Sequence, residues 1–317
     1  MSPLTEFTAT EDGRLDLAVV ARMPVLSRSQ VRRLIEAGKV IVDGTPALKP
    51  GSTVTVGALI AVEEPTFRGM AEMDLVAASI PLEIIYEDEQ TLVLNKQPGL
   101  VVHPREGVDE PTLINAVRAR YPEVADIDDS DRGGIVHRLD RDTSGVIALA
   151  KSEESQAVLK DQWRARETEK TYLAIVGGRP DPSEGIIEAP LGADPEDPRR
   201  RAVVESGQSA RSQYRVLEQY GDEAALAMVQ IFTGRTHQIR VHMQAVGHPV
   251  LGDFLYGRTS TRIARQALHA WRLGFTLAST GEWRIFEAPV PDDIREAVEA
   301  LRAEYGVRAA LEIGVPA

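Results

Sequence analysis

Residues 133–152, GGIVHRLDRDTSGVIALAKS, constrain this chain more than any other stretch. Two glycines lead into a loop carrying His137, Arg138, Asp140, Arg141 and Asp142, and an apolar run over residues 146–150 leaves it. A short apolar run bounded by polar residues reads as a buried strand. A sheet must therefore lie directly behind the charged loop, and a loop seated on a strand is a rigid way to present side chains at a pocket. Taken alone, the same charges could be a solvated surface loop.

At 317 residues the chain exceeds one typical domain, and Pro65 and Pro81 bracket a boundary well short of its middle. The expected organisation is a small module over residues 1–63, a linker over 64–80, a large domain over 81–305 and a tail over 306–317. In the large domain, strand-like segments at 91–95, 146–150, 171–176, 212–217 and 225–232 are interspersed with helical ones at 112–120, 153–164, 236–246 and 293–305. This is α+β material. Along 236–246, Ile239, His242, Met243 and Val246 recur at helical spacing on one face, and Arg240 projects off that face.

In the small module, SRSQVRRLIEAGKVIVDG reads as a helix capped by Ser27, with Val31, Leu34 and Ile35 on one face and Gly38 as its stop. A strand over 39–42 and a tight turn at Asp43-Gly44 follow. A net charge of −12 argues against a polyanionic partner for the chain as a whole. Its distribution matters more: between Asp12 and Pro50 there are seven basic residues, among them Arg28, Arg32, Arg33 and Lys39, against four acidic ones. The acidic excess then lies in the large domain, where it limits indiscriminate RNA binding. A helix with basic residues running into a short strand and a turn resembles the S4 RNA-binding domain. The resemblance covers residues 1–63 and implies that Arg28, Arg32, Arg33 and Lys39 meet RNA, although a solvated helix face is the bland reading of the arginines.

The large domain carries a more specific likeness. HRLDRDTSG, residues 137–145, matches the central HRLDxxTSG motif of the RluA-type pseudouridine synthases of the large ribosomal subunit. NKQPGLVVHP (95–104), EKTYLAIV (169–176), TGRTHQIRVHMQAVGHPVLGD (233–253), LHAWRLGF (268–275) and FEAPVP (286–291) resemble that family's other blocks. Leu277-Ala278 stands where many relatives have His-Pro, and Gln97 precedes the proline of the first block. The resemblance implies a catalytic domain built on a mixed, mainly antiparallel sheet with flanking helices.

It also implies roles. Asp140 would be the essential carboxylate, Tyr172 the ring that stacks on uracil, Arg240 the ion-pair partner of Asp140, and Arg138 the side chain that fills the space of a flipped base. Isomerising uridine means breaking the C1′–N1 bond, turning the uracil in place and joining its C5 to C1′. A carboxylate can attack C1′ or take a sugar proton to give a glycal, and both routes stay open. Extruding a stacked base costs a few kcal/mol, so a replacement and a basic surround are physically sensible. Arg235 and His237 sit at a helix start, a position suited to phosphate.

Zero cysteines exclude disulfides and thiolate sites. The polar, acidic first residues lack the basic and apolar regions of a secretory signal, and no apolar run is long enough to span a bilayer, so a cytoplasmic protein is expected. No GxxxxGK[ST] or GxGxxG motif occurs, and His237 and His242 would point about 140° apart on a helix, so neither a cofactor nor a metal is expected. The expected partner is 23S ribosomal RNA or its precursor, met by a monomer. Three other readings stand beside this one: a non-catalytic RNA-binding or ribosome-assembly protein, a synthase acting on transfer RNA, and a glycosidase pairing Asp140 with Asp142.

Overall fold

The computed structural model describes residues 4–23, 28–63, 70–104, 110–127 and 133–309. The chain divides into two compact units, Met1–Arg68 and Gly69–Ala317.

In the first unit, Val31, Leu34 and Ile35 of the helix Arg28–Glu36 pack with Leu15 and Val19 of the helix Leu15–Arg22 in one core. The chain leaves the second helix through Gly38 at φ 71° and turns at Asp43 (φ 48°) and Gly44 (φ 77°). Positive φ at both central residues is what a two-residue type I′ hairpin requires. That turn joins Val40–Val42 to Thr45–Pro46 in a four-stranded antiparallel sheet with Leu59–Glu63 and Leu4–Thr8. Arg32 is exposed and lies 4.0 Å from Glu36, while Lys39 lies 3.6 Å from Glu63. Ser27 and the side chains of Arg28 and Arg33 lie outside the described residues.

Residues 64–80, expected as a linker, include the helix Met70–Ala77. Its Asp74 accepts a hydrogen bond from Asn115 Nδ2 at 2.7 Å and stands 3.3 Å from Arg118 Nε, fastening it to the helix Leu113–Arg120. The described part of the second unit is organised by a ten-stranded sheet. Eight strands lie in the order Glu184–Glu188, Arg211–Tyr220, Ala224–Ile231, Glu169–Gly177, Leu268–Thr276, Ser144–Ala150, Thr91–Lys96, Glu83–Glu87; Trp283–Glu287 and Arg308–Ala309 pair beside this path.

Neighbouring strands in this sheet are antiparallel except Ser144–Ala150 and Leu268–Thr276, which run parallel through Ser144↔His269 and Gly145↔Ala270. Gly145 has φ 115°, and a Cβ there would run into the Ala270 carbonyl oxygen, so glycine alone permits this approach. All seven residues of Ser144–Ala150 are buried. Val146, Ala148 and Ala150 pack with Leu159 from the helix Glu153–Ala165 on one face, and Ile147 and Leu149 pack with Leu113, Ile114 and Val117 on the other. Cover on both faces explains why this strand reads as an unbroken apolar run.

Candidate active site

Asp140 lies on irregular chain pinned at both ends of the same strand. Upstream, Ile135 bridges Leu149, and the Ala150 N–H donates to the Gly134 carbonyl at 2.7 Å. Downstream, the Thr143 N–H donates to the Asp140 carbonyl at 3.1 Å, one residue before the strand begins.

Side chains hold the loop from below. His137 Nε2 accepts the Ala148 N–H at 2.9 Å, and its ring stacks on Trp163 at 5.0 Å between centroids. An imidazole accepting at Nε2 is neutral, and burial, helped by Lys170, pushes the His137 pKa down to about 3. Lys96, 1% exposed, donates to the carbonyls of Gln97, Leu100 and Arg141 at 2.8, 2.9 and 2.8 Å. Burial pushes its pKa down to about 7 against the opposing pull of Asp142 and Asp140. Arg265 Nη1 donates to the Asp142 carbonyl at 2.9 Å while its Nε binds Asp293 at 2.7 Å.

Arg240 divides its guanidinium between two carboxylates. Nε and Nη2 bind the fully buried Asp253 at 2.6 and 2.9 Å, and Nη1 reaches Asp140 Oδ2 at 3.1 Å. Asp253 Oδ1 also accepts the N–H groups of Leu255 and Tyr256 at 3.0 and 3.1 Å, which fixes the carboxylate against the backbone. Burial works against the charge of Arg240, but Asp253 and Asp140 outweigh it and raise the pKa. Arg240, off the apolar face of its helix, is only 4% exposed, because Asp253 supplies a partner inside the fold. The helix itself runs Gln238–Ala245; His237 sits before it at φ 59°, its Nδ1 2.7 Å from the Tyr256 hydroxyl and its Nε2 3.9 Å from Asp140 Oδ2.

Asp140, Tyr172 and Arg240 line one cavity of about 460 Å³, together with Arg138, Arg235 and His237. Among the described residues, seven Lys and Arg side chains border it and Asp140 is the single acid in its lining. Burial, and after it the Asp140 charge, raises the Tyr172 pKa, so the phenol stays neutral. Arg138 is exposed, and Arg235 bonds Ser209 O at 3.1 Å and Gln208 Oε1 at 2.9 Å. His242 turns elsewhere, to Ser212 Oγ at 2.9 Å and Ala189 O at 3.1 Å, and Asp142 does not line the cavity. Asp253, Lys96 and Lys170 had no part in the sequence reading, although each lies in a quoted motif. Nothing local pointed to Asp253, whose partner Arg240 lies 13 residues earlier in the chain.

The histidines give a pH expectation. Unfolded, His137 and His269 would titrate near about 6.5; folded, burial lowers them to about 3 and about 4. Between roughly pH 6.5 and 4 the unfolded chain binds more protons, so stability falls as pH drops through that window. Urea titrations should show this fall, and His137→Gln should flatten it relative to the parent. Parallel profiles for the two proteins would contradict a neutral His137.

Comparison with known proteins places these features. The RNA pseudouridylate synthase family model matches residues 90–245, and the S4 domain model matches residues 13–60. An uncharacterized RNA pseudouridine synthase of Chloroflexus aurantiacus is 46% identical over 92% of this chain and 92% of its own. The ribosomal large subunit pseudouridine synthase D of Nitrosomonas europaea is 40% identical over 91% of this chain and 84% of its own. Among solved structures, human RNA pseudouridylate synthase domain containing 4 superposes with a TM-score of 0.57 at 23% identity, over 73% of this chain and 97% of that one, a likeness of fold.

Proposed function

This chain belongs to the RNA pseudouridylate synthase family, and on that premise we propose that it converts particular uridines of large-subunit ribosomal RNA to pseudouridine through Asp140. The carrying observation is that, among the described residues, one carboxylate lines a cavity bordered by seven Lys and Arg side chains, in a protein whose net charge is −12. That local sign fits a phosphate-bearing substrate. Relatives named for the large ribosomal subunit support ribosomal over transfer RNA as the substrate.

A uridine turned out of its stack enters the cavity with C1′ toward Asp140. The carboxylate either adds to C1′ as N1 departs and leaves again as C5 attacks, or takes a sugar proton to give a glycal and returns it; in both routes uracil stays bound, turns and bonds through C5, which loses its proton while N1 gains one. Tyr172 offers the detached base a flat neutral face. Arg240 Nη1 bonds Asp140 Oδ2 at 3.1 Å and orients the carboxylate. Arg138 fills the gap left in the RNA, and Arg235 and His237 contact its backbone. A glycosidase is disfavoured, since no second acid lines the cavity among the described residues.

The test is to map pseudouridine across the ribosomal RNA of a strain lacking this protein and of its parent. One or more large-subunit sites should be missing and should return with the gene. An unchanged ribosomal map would refute the substrate assignment.

The basic module over residues 1–63 adds RNA affinity without joining the chemistry. Deleting it should weaken binding and make the dependence of affinity on salt shallower, because phosphate contacts by Arg28, Arg32, Arg33 and Lys39 go with it. A truncated enzyme with parental affinity at every salt concentration would contradict this role.

A further inference from the structure

The strand Glu169–Gly177 carries Lys170 and Tyr172 two residues apart, so both face the same side of the sheet, roughly 7 Å from each other. Both line the cavity, and the residue between them does not. Lys170 is 7% exposed. Among the described residues, no carboxylate lies within ion-pair distance of its ammonium and no hydrogen bond ends on it. Lys170 is thus largely desolvated with its ammonium opening onto the cavity, a setting that favours a counter-charge brought there by a ligand.

The surroundings indicate what that is. Asp140 acts electrostatically on Tyr172, whereas the charged group acting on Lys170 is a second cation, Arg166. Arg166 is exposed, also lines the cavity and has no acidic partner among the described residues. Arg164, by contrast, is already paired with Asp161 at 2.9 Å. Two neighbouring cations facing a cavity, one of them buried and neither neutralised, form an anion site. We propose that Lys170 and Arg166 bind a backbone phosphate of the RNA next to the uridine held over Tyr172. The assignment rests on the proposed function for its substrate and adds a subsite to it. A neutral uracil carbonyl would satisfy one hydrogen bond of Lys170 but not the paired positive charge.

The test compares full-length Lys170→Gln, Lys170→Arg and Arg166→Gln with the parent, measuring affinity for a transcript of large-subunit ribosomal RNA over a range of salt. Each Gln variant should bind roughly fivefold more weakly at 0.1 M salt and lose about 0.7 from the slope of log affinity against log salt, the signature of one lost phosphate contact on single-stranded RNA. Lys170→Arg should recover most of both. Thermal melting separates a ligand site from a core role: removing an uncompensated buried charge should leave the Lys170→Gln melting temperature equal or higher. Unchanged slopes in both Gln variants would overturn the subsite, as would an unchanged slope with a melting temperature lowered by several degrees. Pseudouridine is scored separately on the same transcript. A parent that leaves it unmodified refutes the proposed function, while the slopes, read from binding, still decide the subsite.

Discussion

Asp140→Asn should lower pseudouridine formation by roughly 10⁴-fold or more, the scale seen when an essential reacting group is removed. Asn preserves the volume of Asp but is a poor nucleophile and a poor base, so the loss falls on the chemical step. Removing one charge of a buried pair usually costs about 3–5 kcal/mol because the partner is left stranded. Here Arg240 keeps its two bonds to Asp253, at 2.6 and 2.9 Å, so its charge remains compensated. The fold should therefore lose only about 1 kcal/mol, the worth of one hydrogen bond. Carbodiimide treatment followed by primer extension should show no pseudouridine stop, and the same RNA should bind with near-parental affinity. A folded variant that still makes pseudouridine would remove Asp140 from the mechanism.

Asp253→Ala should be the most destabilising change near the site. The carboxylate is fully buried, takes two guanidinium bonds and two backbone N–H bonds, and its loss leaves Arg240 with a single anionic contact to Asp140. Breaking such a pair from one side costs about 3–5 kcal/mol, a fall of about 10 °C in melting temperature for a domain of this size. Asp253→Asn, which can still accept from the Leu255 and Tyr256 N–H groups, should lose markedly less. Calorimetry on the three proteins checks the order. Equal melting temperatures for Ala and parent would show that Arg240 does not depend on Asp253.

The sequence was most legible where periodicity and packing agree. Residues 146–150 had to be a buried strand, and they are, because alternate side chains enter two different cores. The helix expected at 236–246 runs Gln238–Ala245, since no local signal announces that His237 takes a left-handed conformation and delays the start. The stretch at 64–80 hid a helix: its apolar residues form no sharp stripe, and its docking depends on Asp74 meeting Asn115 and Arg118 some forty residues on. Near Asp140, the motif located the loop, but the supports beneath it are long-range and silent in any window of sequence. Lys96 reaching the Arg141 carbonyl and Arg265 reaching that of Asp142 are of this kind. Lys170 was more accessible, as a lone lysine in an apolar strand at even spacing from Tyr172.

The single parallel pairing in the sheet sets the order in which this enzyme comes into being. Ser144 and His269, neighbours across it, are 125 residues apart in the chain. Antiparallel neighbours such as Thr91–Lys96 and Ser144–Ala150 can form as soon as both strands have left the ribosome, whereas the parallel contact waits for the much later strand Leu268–Thr276. Loop closure over such a span is slow and is not rewarded until the late strand arrives. Until Leu268–Thr276 emerges, Gly145 lacks the close contact with Ala270 that fixes the downstream end of the Asp140 loop. The contacts that fix the downstream end of the Asp140 loop therefore form late, once residues 265–276 are in place.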